Sequence, residues 1–253
     1  MTSPLFLVRL VLDRRALLRV GVRHRLGRSV DDGALLHAGL SQLFAKSTDR
    51  ADVPLFTFAI DDVCEASSKR PDLLFLLAYA DMDEHQLEEA MGPSAADLLH
   101  DCKTREMPPL VDGQLVAFRT RTCPVVRTRQ PGTRPLDVGR SGRPKHRELD
   151  AFIHSALNAP DGATVDREDV YVHWLKSQME RDGACSVKDA SLAEFRRETM
   201  RRGGDAKLER PNAVMEGRLS VGVPAEFRKL LIRGVGRHRA FGFGMLLVRP
   251  ASD

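Results

Sequence analysis

Cysteine is scarce in this chain and poorly spaced for chemistry. Its four cysteines, Cys64, Cys102, Cys123 and Cys185, form no C-x-x-C pair, which argues against a zinc ribbon or a redox dithiol and suggests a reducing cytosol. No carboxylate and histidine spacing reads as a metal site, so neither metal nor cofactor is expected. Long apolar runs are missing as well. Leu5 to Leu12 is interrupted by Arg9 and has no basic stretch ahead of it. It is too short to span a membrane and poor as a signal peptide. Neither half carries the interleaved aromatics of a sheet that reads single-stranded RNA. No internal sequence repeat is visible.

What is present describes a folded protein. The 253 residues are 42% hydrophobic and 29% charged, enough for one large domain or two small ones with real cores. The formal charge is only +4, but the 39 lysines and arginines are unevenly spread, and distribution decides what a surface attracts. Three basic stretches stand out: Arg14 to Arg28, Arg127 to Arg147, and Arg196 to Arg210. The first holds six arginines and His24 with no acid. The last carries five arginines and Lys207 and would form a hairpin with Arg201 and Arg202 at its tip. A single charge run is usually a solvated face; three of them, with further cations near the C-terminus, point towards nucleic acid.

Taken in order, Leu5 to Leu12 reads as a strand. Asp31 or Asp32 can cap a helix over Gly33 to Phe44, whose Leu36, Leu40, Leu43 and Phe44 share one face. Pro54 to Ile60 and Leu73 to Ala80 read as strands, Asp83 to about Cys102 as mainly helix interrupted at Gly92-Pro93, and Lys103 to Leu110 as a weak strand. That order, β-α-β-β-α-β, is the order of a ferredoxin-like fold. Val111 to Gly113 is the expected junction, giving domains at 1–111 and 112–253. In the second half Gln114 to Arg129 alternates as a long strand, with Pro124 at an edge or bend. A Pro, Gly and Arg-rich connection runs from Gln130 to Arg147. A helix near Glu168 to Asp182, strands at Ala184 to Arg197 and Leu208 to Val221, a helix around Phe227 to Leu231 and a strand over Phe241 to Val248 repeat the same order. The predicted class is α+β, with two tandem ferredoxin-like domains.

The most unusual string is Gly234-Val235-Gly236-Arg237-His238-Arg239-Ala240-Phe241-Gly242-Phe243-Gly244. Such a glycine-rich loop can form an anion-binding concavity of backbone N–H groups, ringed here by Arg237, His238 and Arg239. A tight helix-to-strand connection with solvated arginines is the plainer alternative. A dinucleotide fingerprint fits poorly, because that motif opens a helix and its third glycine would fall on Arg239. The other informative residue is His37. On a helical wheel it lies at the border of the leucine stripe beside Phe44, packed on one side and open on the other. Such a histidine is either a partly buried side chain satisfied by a carbonyl or an acid–base group.

The string Arg233 to Pro250 resembles the C-terminal glycine-rich signature of the CasE family, the CRISPR precursor-RNA endoribonucleases of type I-E Cascade. Leu36 to Phe44, with spacing H-x-x-L-x-x-L-F, is similar to the helix that bears that family's catalytic histidine. Gly113 to Arg127, Tyr171 to Leu175 and Met215 to Val221 add further likeness in family order. The resemblance implies metal-independent cleavage within a repeat stem-loop by 2′-OH attack, leaving a 2′,3′-cyclic phosphate. It also implies retention of the CRISPR RNA hairpin and membership of Cascade beside its other subunits. It makes His37 the catalytic residue. Arg23, Arg25, Arg28, Arg201, Arg202, Lys207, Gly234, Gly236, Arg237, His238, Arg239 and Gly242 become the expected RNA contacts. One departure stands out: the tyrosine that well-known members carry one helical turn before the histidine is Ala34 here. A stem-loop-binding subunit of the same fold without useful cleavage is the alternative.

Overall fold

The computed structural model of the chain describes residues 4–24, 32–45, 53–61, 69–128, 147–201 and 207–251. In the N-terminal half, β1 (Phe6–Asp13) leads into α1 (Arg14–Arg23) and α2 (Asp32–Leu43). There follow β2 (Thr57–Ile60), β3 (Leu73–Ala80), α3 (Glu84–Ala90), α4 (Ala95–Leu98) and β4 (Leu99–Glu106). These strands form an antiparallel sheet in the order β2-β3-β1-β4. The C-terminal half contains β5 (Leu115–Thr122), β6 (Val125–Thr128), β7 (Arg147–Asp150), α5 (Ala151–Leu157) and α6 (Arg167–Met179). It ends with β8 (Cys185–Arg201), β9 (Lys207–Val221), α7 (Pro224–Arg233) and β10 (Leu246–Pro250). Its main sheet is β10-β5-β9-β8, also antiparallel, while β6 and β7 pair as a separate ribbon. Each four-stranded sheet thus has the strand order of a ferredoxin-like fold, as the sequence predicts.

Several boundaries differ from expectation. The helix expected to reach Cys102 stops at Leu98, and the strand expected over Lys103 to Leu110 is β4, four residues earlier. Pairing with β1, which sets Cys102 opposite Leu10 in the core, outweighs the polar character of the segment. The long strand expected over Gln114 to Arg129 breaks at Pro124, so its second part pairs with β7 instead of continuing the sheet. The last strand begins at Leu246 rather than Phe241, after a 3₁₀ turn at Arg239–Phe241. The basic stretch after β1 is helical over Arg14–Arg23, capped by the Asp13 carboxylate accepting from Ala16 N–H at 2.6 Å. The connection expected at 130–147 lies, apart from Arg147, outside the described residues, as does Asp31.

Hydrophobic burial explains why these elements pack as they do. The N-terminal core sets Leu36, Leu40 and Leu43 of α2 and Leu17 and Val20 of α1 against Val8, Leu10 and Leu76 of the sheet. Gly39 allows α2 to lie close on α1, since a Cβ there would fall 2.3 Å from Leu17 Cδ2. The second core joins the halves: Ala59 and Tyr79 of the first sheet pack with Phe227, Leu230 and Leu246 of the second half. Tyr79 O–H donates to Leu246 C=O at 3.0 Å, and Thr57 Oγ1 donates to Leu231 C=O at 3.3 Å. Burial drives the Tyr79 phenol well above its usual pKa. Cys102, Cys123 and Cys185 are free, buried thiols, pushed up to about 11, 12 and 12 respectively, chiefly by desolvation. No helix among the described residues is long and apolar enough to cross a membrane.

Candidate functional site

The leucine stripe of α2 fixes which way His37 faces. With Leu36, Leu40 and Leu43 buried in the core, the intervening His37 emerges exposed. Its ring meets Phe241 with centroids 5.7 Å apart and planes tilted by 46°, a geometry that aromatic pairs favour. The plainer expectation for such a histidine, partial burial with a carbonyl partner, does not hold. Phe241 is the last residue of the 3₁₀ turn within the glycine loop, and that loop docks directly on α2. At Gly33, one turn before His37, a Cβ would stand 2.7 Å from Phe241 O. Helix and loop therefore meet backbone to backbone at Gly33, with no room for a side chain there.

The loop itself is a closed structure. Gly234 N–H donates to Leu230 C=O at 2.8 Å, Val235 N–H to Gly244 C=O at 2.7 Å, Gly242 N–H to Arg239 C=O at 3.0 Å and Gly244 N–H to Arg121 C=O at 2.7 Å. The N–H groups of Gly234, Val235, Gly242 and Gly244 are thus engaged within the protein and close the two ends of the loop. Gly234 has φ +67°, and a Cβ there would also lie 2.6 Å from Gly244 O, so the close crossing of the loop's two ends needs glycine. Gly236 lies against the Trp174 ring and Gly242 beside Phe58. The Arg121 guanidinium, 4.4 Å from the Phe243 ring centroid and 2.7 Å from Glu198 Oε2, holds the far end.

Between α2, β2, β7, β9 and the loop lies a cleft of about 760 Å³, lined by His37, Leu40, Phe58, Glu148, Arg210 and Gly236 to Phe241. Glu148 is its electrostatic centre. Its Oε2 lies 2.8 Å from Arg210 Nη2 and 3.0 Å from His238 Nε2, and its Oε1 lies 2.7 Å from Arg237 Nε. The Arg237 N–H is not aligned with that oxygen, so this contact is an ion pair rather than a hydrogen bond. Burial alone would raise the Glu148 carboxyl, but His238, Arg210 and Arg237 outweigh it and hold the group below its ordinary value. Burial lowers the His238 imidazole, and the two arginines add to that against the opposing pull of Glu148. Arg239, at the exposed edge, donates to Arg233 C=O.

The structure brings His37, Gly236, Arg237, His238 and Arg239 to one cleft. Arg23 ends α1 and is exposed. Arg201 and Lys207 face each other in register at the end of the β8–β9 hairpin. Arg25, Arg28 and Arg202 lie outside the described residues. Two tyrosines exist, and both have other work. Tyr79 joins the halves, and Tyr171 O–H donates to Asp150 Oδ1 at 2.9 Å while accepting from Arg167 Nη1 at 2.8 Å. Neither lines the cleft, and Ala34 is buried. Sequence reasoning missed Glu148 and Arg210. Their roles come from pairing across 62 positions of chain, and no local spacing signals that. Among the described residues, no group of three His, Cys, Asp or Glu side chains is placed to hold a metal ion.

Fold and site together define a tandem ferredoxin-like protein with an exposed imidazole facing a cation-rimmed glycine loop across a cleft. The chain belongs to the CRISPR associated protein family, whose model matches residues 5–250, in agreement with the CasE resemblance of its motifs. Among solved structures it is similar to Thermus thermophilus Cse3 bound to an RNA representing a pre-cleavage complex. That likeness has 20% identity and a TM-score of 0.59, covering 98% of this chain and 100% of the other. Cas6e from Escherichia coli K-12 matches at 19% identity and a TM-score of 0.59, over 97% of this chain and 100% of the other. A chain of a CRISPR RNA-guided surveillance complex matches at 17% identity and 0.53, over 97% and 100%. At such identities the likeness concerns the fold. No curated protein sequence matches this chain.

Proposed function

We propose that the chain is a metal-independent endoribonuclease that cuts CRISPR precursor RNA within the repeat stem-loop. It then keeps the 3′ hairpin of the mature CRISPR RNA and serves as a Cascade subunit in the cytoplasm. The observation that carries this reading is the cleft in which exposed His37 packs on Phe241 beside Arg237, His238 and Arg239. Structures it resembles are described as the CRISPR endoribonuclease Cse3 bound to 19 nt RNA, Cse3 bound to an RNA representing a pre-cleavage complex, and a CRISPR RNA-guided surveillance complex.

The chemistry follows from the groups present. A ribose 2′-OH attacks the adjacent phosphorus, the P–O5′ bond breaks, and a 2′,3′-cyclic phosphate and a 5′-OH result. A histidine suits the proton transfers because its ordinary pKa lies near neutral pH. One positioned acid–base group contributes about 10²–10⁴-fold, or roughly 3–5 kcal/mol of barrier. Arg237 and Arg239 supply positive charge where the phosphorane gathers negative charge. An A-form stem is held through phosphates and shape rather than base edges, which suits Arg23, Arg201, Lys207 and the loop cations, with Arg25, Arg28 and Arg202 assigned alike. In this reading residues 1–111 carry the histidine and 112–253 the hairpin and glycine loop.

A second reading, a subunit that binds the stem-loop without cutting it, is favoured by buried Ala34 and by the engagement of both tyrosines elsewhere. Incubating the protein with its host's repeat RNA in excess EDTA separates the two. The first reading predicts one cut, with an upstream end that resists end-repair enzymes until the cyclic phosphate is opened. A strict Mg²⁺ requirement or a plain 3′-OH would contradict it, and tight binding without any cut would establish the second.

A further inference from the structure

We propose that His238 is the second acid–base residue of the cleavage, taking the 2′-OH proton while His37 protonates the leaving O5′, with Glu148 as the positioning residue behind it. The proposal rests on the ribonuclease reading above. Its starting point is geometric. The His37 and His238 rings flank the same phenyl, with centroids 5.7 and 6.5 Å from that of Phe241, and both line the one cleft.

Glu148 decides the tautomer. An ionised carboxylate only accepts, so the ring nitrogen 3.0 Å from Glu148 Oε2 carries the proton. Nε2 is therefore the N–H, and Nδ1 is left with a lone pair and, among the described residues, no hydrogen-bond partner. A carboxylate behind an imidazole in this way fixes the ring and stabilises the imidazolium that forms on proton uptake. Glu148 is itself fixed: Arg210 holds both its side chain and its backbone carbonyl. Two residues on, Asp150 is locked to Tyr171 and Arg167. His238 also sits at φ 63°, ψ 28°, a left-handed conformation uncommon for any residue but glycine. The Phe241 N–H to His238 C=O bond at 2.9 Å helps hold it there.

The charges facing His238 are Glu148 from β7, Arg210 from β9, the neighbouring Arg237, and His37 across the phenyl ring. Burial and the two arginines keep the imidazole neutral at neutral pH, the form a general base requires. In the step itself the 2′-OH proton passes to His238 Nδ1 as the O2′–P bond forms. The P–O5′ bond breaks as O5′ takes the proton of a His37 imidazolium. His238 ends protonated and His37 neutral, and solvent exchange restores both. No further reactant is needed.

The test uses the full chain and its host's repeat hairpin in two forms: the natural RNA, and one with sulfur replacing O5′ at the bond that the wild type cuts. A thiolate leaves without an acid, so loss of the acid is tolerated on the sulfur substrate and loss of the base is not. Asparagine tolerates the left-handed backbone, so His238→Asn is the informative variant. Single-turnover cleavage should fall by at least about 10²-fold on both substrates, with hairpin affinity within about tenfold and the acidic limb of the pH–rate profile gone. His37→Ala should be slow on the natural RNA and recover on the sulfur one. If His238→Asn fails to fold, His238→Gly also accepts the positive φ, and added free imidazole should restore its rate; no restoration overturns the proposal. A His238→Asn enzyme with wild-type rate and pH profile overturns it while the ribonuclease reading stands. Rescue of His238→Asn rather than His37→Ala by sulfur overturns the assignment of the base. A wild type that never cuts removes both readings together.

Discussion

Burial and two arginines favour the neutral His238 imidazole, so protonating it works against the folded state. Its folded pKa lies below the ordinary value of about 6.5, and the unfolded chain therefore takes up the proton first as pH falls. The contribution is complete above about pH 6.5 and declines until the folded pKa is passed. Glu148, also depressed, adds a separate loss below the ordinary carboxylate value of about 4.3. Melting temperature should therefore start to fall below about pH 6.5, and His238→Asn should flatten that first decline. An equally steep decline in the variant would show that another group titrates there. At this scale His37 was legible from the sequence, because a 3.6-residue period says which neighbours are buried and so which way the histidine points. Glu148 was not, since its burial depends on Arg210, Arg237 and His238, all distant in the chain.

The elements that hold the site meet at glycines, and two substitutions measure those contacts. Alanine is a better helix former than glycine by about 1 kcal/mol, so Gly33→Ala in an unconstrained helix would stabilise the protein. With Phe241 O at 2.7 Å from the new Cβ, it should instead shift the loop, bring no stabilisation in urea unfolding, and slow cleavage. A more stable, equally active variant would mean that loop and helix do not touch there. Gly234→Ala combines a positive φ with a backbone clash and should cost at least about 2 kcal/mol. Helix α2 was legible because its leucines recur at helical spacing, and strand β3 because Leu73–Ala80 is an unbroken apolar run. Helix α1 was hidden because arginines interrupt its sequence and exposed Leu18 and Val22 blur the edge of the apolar face that buries Leu17 and Val20. Strand β7 and helix α5 escaped because they follow an Arg-rich stretch, and a four-residue ribbon strand leaves little pattern.

At the scale of the whole molecule, tandem β-α-β-β-α-β order was readable from strand and helix succession alone, whereas the joining of the halves through Tyr79 and Thr57 was not. The combined surface carries the electrostatic prediction. If six basic side chains contact phosphates, affinity for the repeat hairpin should fall by about 10³ between 50 and 200 mM salt. Replacing Arg201 and Arg202 together by alanine should reduce the slope of log affinity against log salt by up to about 2. An unchanged slope would leave the hairpin end as a solvated surface. The central claim is that His37 makes this cleft a catalyst, and single-turnover cleavage of the repeat hairpin by His37→Ala tests it most directly. An exposed histidine beside a buried stripe can be removed with Leu36, Leu40 and Leu43 still packed, so the variant should fold normally and bind the hairpin within about tenfold of wild type. Its cleavage rate should be at least about 10² lower; a variant that cuts as fast as wild type would contradict the account.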